Sequence, residues 1–375
     1  MEALESNGVI VLESAISQVH DGRLAYRGYA LDDVAQQGEF AEAAFLLWAG
    51  RLPTASELSA LKGQFEAAWS LPKEVVARVR SLPSSTPMIT ALREGVSALA
   101  LVTRGKPIPT GGMPPLLAHS QDATASVLLV GALPAIAAQF YHVALGRPLY
   151  APRVSGALAE RFLQAIYGEA PSPEEVKALD TALTLYAENG LTVSTFAARV
   201  IAASGSDVFS AVNAALSALE GPLHGEAPFS IFRLLGRVGV PTDAPSAVDG
   251  QLRLDARLPG FEQREAGEPD GRARLFRQLA LDLGAGPRVA AADAVAEEAH
   301  RRLGATPAVD FYAVVLFEHL GFDADLASAV FALGRVAGWT AHALEQHSYN
   351  RLARPAARYV GAKLRPWQAI GERGA

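Results

Sequence analysis

Three segments constrain the fold more than any other feature of this chain. Thr192–Ala203, Asp207–Leu219 and Leu326–Ala343 are rich in Ala, Ser, Val and Phe on most faces. Helices that are small and apolar nearly all round are normally buried on several sides. Such helices often pack across a subunit interface, so an oligomer is expected. Most of the remaining chain also reads as helix. Phe40–Trp48 carries an apolar face and ends at Gly50. Thr54-Ala55-Ser56-Glu57 and Ser172-Pro173-Glu174-Glu175 are capping-box patterns, in which hydroxyl and carboxylate satisfy N–H groups that a helix start leaves orphaned. Only the N-terminal stretch differs. Val9–Leu12 and Leu24–Tyr26 alternate weakly about Asp21-Gly22, the pattern of a small β-hairpin. The fold class is all-α with a short N-terminal β-hairpin. Val240–Arg272, rich in proline, glycine and acidic residues, reads as a long loop inside a smaller helical region from about His224 to about Phe322.

A length of 375 residues leaves room for two domains, and half the residues are apolar. The net charge of −6 argues against a nucleic-acid partner, although a local basic pocket for a phosphorylated ligand is compatible with it. With no cysteine, disulfides, thiolate catalysis and cysteine-ligated metals are excluded. The acidic start Met1-Glu2-Ala3-Leu4-Glu5 lacks the basic and apolar regions of a secretion signal, so a cytoplasmic location is expected. The apolar run Ala125–Tyr141 is interrupted by Pro134 and Gln139 and falls short of the roughly 20 residues of a membrane span. It reads as a buried helix, kinked or terminated near Pro134, and no membrane association is expected.

The chemistry concentrates in a few places. Gly221-Pro222-Leu223-His224-Gly225 follows an Ala-rich helical segment, and its Gly-Pro pair stops that helix. His224 is thereby presented at a helix end, with a glycine beside it that permits close backbone approach. Asp310, in Ala308-Val309-Asp310-Phe311-Tyr312, is a carboxylate among apolar neighbours. Desolvation there makes a carboxylate a stronger base towards a carbon acid, and a helix cap is the other reading of the same residue. Arg335 lies within an Ala/Val/Phe-rich helix and needs an anionic partner, which a bound di- or tricarboxylate would supply. Arg354 precedes a proline-enforced turn. His342, Glu345 and His347 do not reproduce zinc-hydrolase spacing, and no metal is expected. Neither a glycine-rich phosphate loop nor a Gly-x-Ser-x-Gly elbow occurs.

Together these motifs resemble the citrate synthase family along essentially the whole chain. The resemblance rests on Ser14–Ser17 with Tyr26–Tyr29, Leu52-Pro53-Thr54 with Glu57-Leu58, and Pro87-Met88 with Leu92-Arg93. It continues through Ser194–Arg199, Gly221–Gly225, Val309–Tyr312 and Gly338–Gln346. It implies a large helical domain, residues 1–223 and 323–375, with a smaller helical domain, 224–322, inserted in it. It also implies a homodimer that condenses acetyl-CoA with oxaloacetate to citrate and CoA, with no cofactor beyond the thioester substrate. In that scheme Asp310 removes a methyl proton and His224 hydrogen-bonds the thioester oxygen. Arg272, Arg335 and Arg354 bind carboxylates, one of them across the subunit interface.

Several positions depart from the family pattern. Gln263 stands where a catalytic histidine is usual, Asn189 stands where another ligand-contacting histidine is common, and Glu226 and Pro228 follow His224-Gly225 in place of glycine and asparagine. Glutamine donates a hydrogen bond but cannot transfer a proton at neutral pH. The acidic stretch Glu262–Glu268 weakens association with a polyanion such as CoA. Two readings therefore stand: a condensing enzyme with an altered acceptor or reduced efficiency, and a catalytically impaired paralogue that binds a carboxylate or a partner.

Overall fold

The computed structural model describes residues 10–20, 23–106, 108, 114–118, 120–148, 156–255, 257–262, 271–351 and 358–373. It opens with antiparallel strands β1 (Ser17–His20), β2 (Arg23–Tyr26) and β3 (Tyr29–Ala30). The register runs from Ser17 opposite Tyr26 to His20 opposite Arg23. The expected hairpin is present, but its first strand is Ser17–His20 and not the stretch ending at Leu12. A two-residue connection pairs the residues that directly flank it, and Ile10 and Val11 remain exposed.

Helices follow almost without interruption: α1 (Leu31–Gln37), α2 (Phe40–Ala49), α3 (Ala55–Ala68), α4 (Lys73–Arg80), α5 (Met88–Thr103) and α6 (Pro115–Ala118). Next come α7 (Gln121–Ala144), α8 (Leu158–Tyr167), α9 (Pro173–Tyr186), α10 (Val193–Ala203), α11 (Val208–Leu219) and α12 (Pro222–Gly225). The series ends with α13 (Ala227–Leu235), α14 (Ala244–Leu254), α15 (Gly271–Asp282), α16 (Gly286–Leu303), α17 (Val309–His319) and α18 (Ala324–Ser348). Both capping boxes form, Thr54 with Glu57 on α3 and Ser172 with Glu175 on α9. Helix α2 ends at Gly50, whose φ of 73° suits glycine. Its start is held from outside: Asp180 of α9 accepts the Phe40 N–H at 2.9 Å. Burial pushes the Asp180 carboxyl up to about 6, against the pull of that hydrogen bond.

The long apolar run lies within α7, which continues through Pro134 instead of ending there. By length and composition α7 suffices to cross a membrane, yet it is almost wholly buried inside the protein. Packing on most sides holds the helix together where proline removes one hydrogen bond. Helix α18 is the centre of the fold, buried from Leu326 to Ala343 apart from Phe331 and packed by α2, α5, α7, α9, α10 and α11. Helix α9 approaches it most closely at two glycines one turn apart. A Cβ on Gly334 would sit 2.7 Å from the Leu183 carbonyl oxygen and 2.9 Å from Tyr186 Cβ. A Cβ on Gly338 would collide with the Ala187 carbonyl oxygen and Glu188 Oε2.

Helices α13–α17 pack chiefly on one another. The expected long loop at Val240–Arg272 is only partly a loop: a 3-10 turn at Pro241–Asp243 leads into α14. Pro241 and Pro245 fall in first turns, where a missing N–H costs nothing, and Ala244, Ala247 and Val248 supply a buried face. Strand β4 (Phe261–Glu262) pairs antiparallel with β5 (Thr306–Pro307), and the Ala308 N–H bonds the Gly260 carbonyl. This strap sits against the start of α17.

Candidate active site

Helix α11 ends at Leu219, and Gly221 then caps the single turn α12, with Pro222 at its first position. His224 falls in that turn. A Cβ at Gly225 would strike the Leu219 carbonyl oxygen, so the close approach expected beside His224 is real. His224 Nε2 lies 2.8 Å from Ser194 Oγ, which accepts the Trp339 indole N–H at 3.2 Å. With the indole on one lone pair, the serine hydrogen is free to point at Nε2, and in that arrangement the ring proton sits on Nδ1. Burial, assisted by the Arg335 charge, lowers the His224 pKa and keeps the ring neutral. Among the described residues no hydrogen-bond partner occupies Nδ1.

Asp310 is the second residue of α17 and makes no cap bond; the cap position is Ala308. Its carboxylate instead accepts the Tyr186 hydroxyl at 2.9 Å. The cap reading is therefore set aside. Burial raises the Asp310 pKa, and Tyr186, Arg272 and Arg335 oppose that rise. Tyr186 closes α9 within a ring cluster, its centroid 5.2 Å from Phe276, 6.1 Å from Phe317 and 5.0 Å from Phe331.

Arg335 is 1% exposed, so its charge has no bulk solvent. Its Nε donates to the Tyr186 carbonyl at 2.6 Å and its guanidinium sits 4.6 Å over the Phe331 ring. Arg335 Nη1 is buried without a hydrogen-bond partner among the described residues. A buried guanidinium with an open donor is a receptor for an anion. Behind it lies Glu188, which is fully buried. Burial opposes ionisation of Glu188, but His342, Arg335 and Ser17 outweigh it and hold the carboxyl below its usual range. Glu188 Oε1 takes Ser17 Oγ at 2.8 Å and His342 Nε2 at 3.2 Å. The Tyr26 hydroxyl joins the Glu188 main chain on both its N–H and C=O.

Phe331 links the pieces. Its ring meets His224 edge-on at 6.4 Å, the Tyr186 ring, and the Arg335 guanidinium. Arg272, buried at the start of α15, contributes positive charge to Asp310 and Tyr186. Asn189 lies partly buried in the α9–α10 connection, and its side chain makes no hydrogen bond among the described residues. Gln263 and Arg354 lie outside the described residues. His342, Glu345 and His347 are engaged separately: His342 on Glu188, Glu345 on Arg199 at 2.9 Å, and His347 on Asp122 at 3.0 Å. Tyr186 is a site residue that no motif singles out, and Ser194 and Tyr26 fall in family-like motifs that do not disclose their partners. Their signal is contact across the fold.

A cleft of about 840 Å³ opens beside His224, lined among others by Glu226, Arg233, Arg237, Arg257 and Phe261. The charge that Glu226 adds there is met by Arg233 at 3.3 Å, on an exposed surface.

Residues 5–356 match the family model described as citrate synthase, C-terminal domain. The chain belongs to the citrate synthase family. It is 34% identical to citrate synthase 2 of Bacillus subtilis, across 98% of each chain. It is 32% identical to 2-methylcitrate synthase 2 of Corynebacterium glutamicum, across 98% of this chain and 96% of that one. Among solved structures it is similar to the citrate synthase of Thermoplasma acidophilum, determined as a ternary complex with carboxymethyl coenzyme A and oxaloacetate. That match has a TM-score of 0.87 and 28% identity, and it covers 98% of each chain. The mostly helical architecture with short N-terminal strands is that of the family.

Proposed function

We propose that this chain condenses an acyl-CoA, acetyl-CoA or a short homologue, with oxaloacetate or a related 2-oxo acid, releasing citrate or a homologue and CoA. The observation that carries the reading is the gathering of His224 and a buried, open Arg335 around Phe331, with Asp310 joined to the same cluster through Tyr186. Asp310 takes a proton from the carbon next to the thioester carbonyl. His224 Nδ1–H donates to the thioester oxygen as charge develops on it, a role that suits a neutral ring. The resulting enol carbon attacks the 2-oxo carbon, and water then cleaves the thioester. Arg335 and Arg272 hold the acceptor's carboxylates, with Arg354 as a third. The amides of Asn189 and Gln263 donate to the acceptor where the family has histidines. The arginines of the 840 Å³ cleft offer cations to the CoA phosphates. Residues 224–322 act as the smaller domain, whose closure excludes water.

Thiol release from acetyl-CoA and propionyl-CoA against a panel of 2-oxo acids tests the reading. Release that Asp310→Asn abolishes is expected, and no release from any pair overturns it. The second reading, a carboxylate-binding paralogue without turnover, draws on the unbonded Asn189 and on Gln263. Calorimetric binding of oxaloacetate or citrate without turnover would select it, and recovery of citrate formation by Gln263→His would show that the loop histidine alone is missing.

A homodimer belongs to the same proposal. Val193, Phe196 and Val200 stand exposed along one face of α10, whose other face is buried through Ala198, Arg199 and Ala202. Light scattering that finds a monomer at micromolar concentration would refute it.

A further inference from the structure

We infer that Tyr186 is the positioning residue for the base: its hydroxyl fixes the Asp310 carboxylate, and its main-chain carbonyl ties that clamp to Arg335. The inference rests on the reading of Asp310 as the base.

Two independent contacts meet in this one residue. The hydroxyl donates to Asp310 Oδ1 at 2.9 Å and is the hydrogen-bond partner that the described residues give this carboxylate. The carbonyl accepts Arg335 Nε at 2.6 Å. The ring between them is caged by Phe276, Phe317 and Phe331, and Gly334 of α18 meets its Cβ, so the phenol has no room to swing away. An aspartate on the first turn of a helix, with no cap bond, takes its carboxylate orientation from side chains across the fold. The Tyr186 bond selects one orientation and turns the other oxygen towards the acyl donor. The charged groups facing Asp310 are Arg272 from α15, Arg335 from α18 and Glu262 from β4, beside Tyr186 from α9. Burial raises the Asp310 pKa and the Tyr186 bond restrains it. The clamp therefore keeps the base ionised at a pH where a desolvated carboxyl would hold its proton.

Tyr186→Phe separates the two contacts, because it removes the hydroxyl and keeps the ring and the carbonyl. The expected result is an acid limb of the kcat profile moved up by about one pH unit, the effect of losing one hydrogen bond to a charged acceptor. Below the limb, kcat falls about tenfold, since each pH unit is a factor of ten in ionised base. KM for oxaloacetate stays within about twofold, because the carbonyl contact to Arg335 persists. A uniform loss of rate with an unmoved limb would mean a merely structural tyrosine and would overturn the inference. If wild type releases no CoA from any pair, the functional reading has failed and the clamp is read from stability instead. A double-mutant cycle of Tyr186→Phe and Asp310→Asn then decides: coupling at pH 8 that disappears at pH 4 supports the clamp, and additivity at pH 8 overturns it.

Discussion

Asp180→Asn should stabilise the protein in a manner that depends on pH. The carboxylate of Asp180 is buried against the start of α2, where it accepts the Phe40 N–H. Its pKa in the fold is about 6, against an ordinary 3.8. Folding therefore favours the protonated form. A group whose pKa is raised by folding contributes fully below its unfolded pKa, and that contribution is lost as pH rises through the folded value. The window is about pH 4 to 6. At pH 7.5 the ionised carboxylate costs about 3 kcal/mol relative to a neutral side chain, and at pH 4.5 about 1 kcal/mol. Asparagine is neutral throughout and its Oδ1 still accepts from Phe40. The substitution should thus raise unfolding stability by about 2 kcal/mol more at pH 7.5 than at pH 4.5. Denaturant unfolding of both proteins at the two pH values measures this directly. A gain of equal size at both pH values, or a loss at pH 7.5, would show that Asp180 is not held with a raised pKa and would refute the reasoning.

Three further outcomes are expected. Ser194→Ala removes the hydrogen-bond partner of His224 Nε2 and should lower kcat about 10- to 100-fold, with KM for the acceptor little changed, as steady-state kinetics would show. Arg335→Leu leaves Glu188 buried without its guanidinium and empties the receptor; calorimetry should show no oxaloacetate binding, and unfolding stability should fall by about 3 kcal/mol or more. Gly334→Ala forces a methyl into the Leu183 carbonyl and Tyr186 Cβ, so α9 and α18 must part, at about 1–3 kcal/mol by denaturation.

What was legible in the sequence was what local chemistry writes there. The capping boxes at Thr54 and Ser172, the Gly50 stop and the apolar α18 announce themselves through hydroxyls, carboxylates and side-chain spacing. His224 and Asp310 stood out for the same reason, as polar groups at unusual addresses. One reading failed where tertiary packing overrode local signals: α14 forms inside a proline-rich stretch because Ala244, Ala247 and Val248 find a buried face. Helix α7 is the buried helix expected, and it runs through Pro134 without ending there. The first strand was misplaced because exposed Ile10 and Val11 imitate an alternating pattern. The pairings that support the site were beyond reach for a different reason. Nothing adjacent to Tyr186 signals Asp310, which is 124 positions away, and nothing adjacent to Ser194 signals Trp339, 145 positions away.

The buried Glu188 carboxylate joins Ser17, 171 positions before it, to His342, 154 positions after it. Its order of assembly follows from that span. During synthesis, β1–β3 and α9 emerge long before α18, so Glu188, Tyr26 and Ser17 must wait for His342 and Arg335 before their charges and hydrogen bonds balance. Contacts this distant in sequence form late and slowly. A chain stalled before α18 would carry an uncompensated carboxylate at the heart of a large apolar surface, the state in which a folding intermediate is most exposed to aggregation. The Glu188 cluster behind Arg335 thus also latches the fold, because it closes only when α18 reaches β1 and the end of α9.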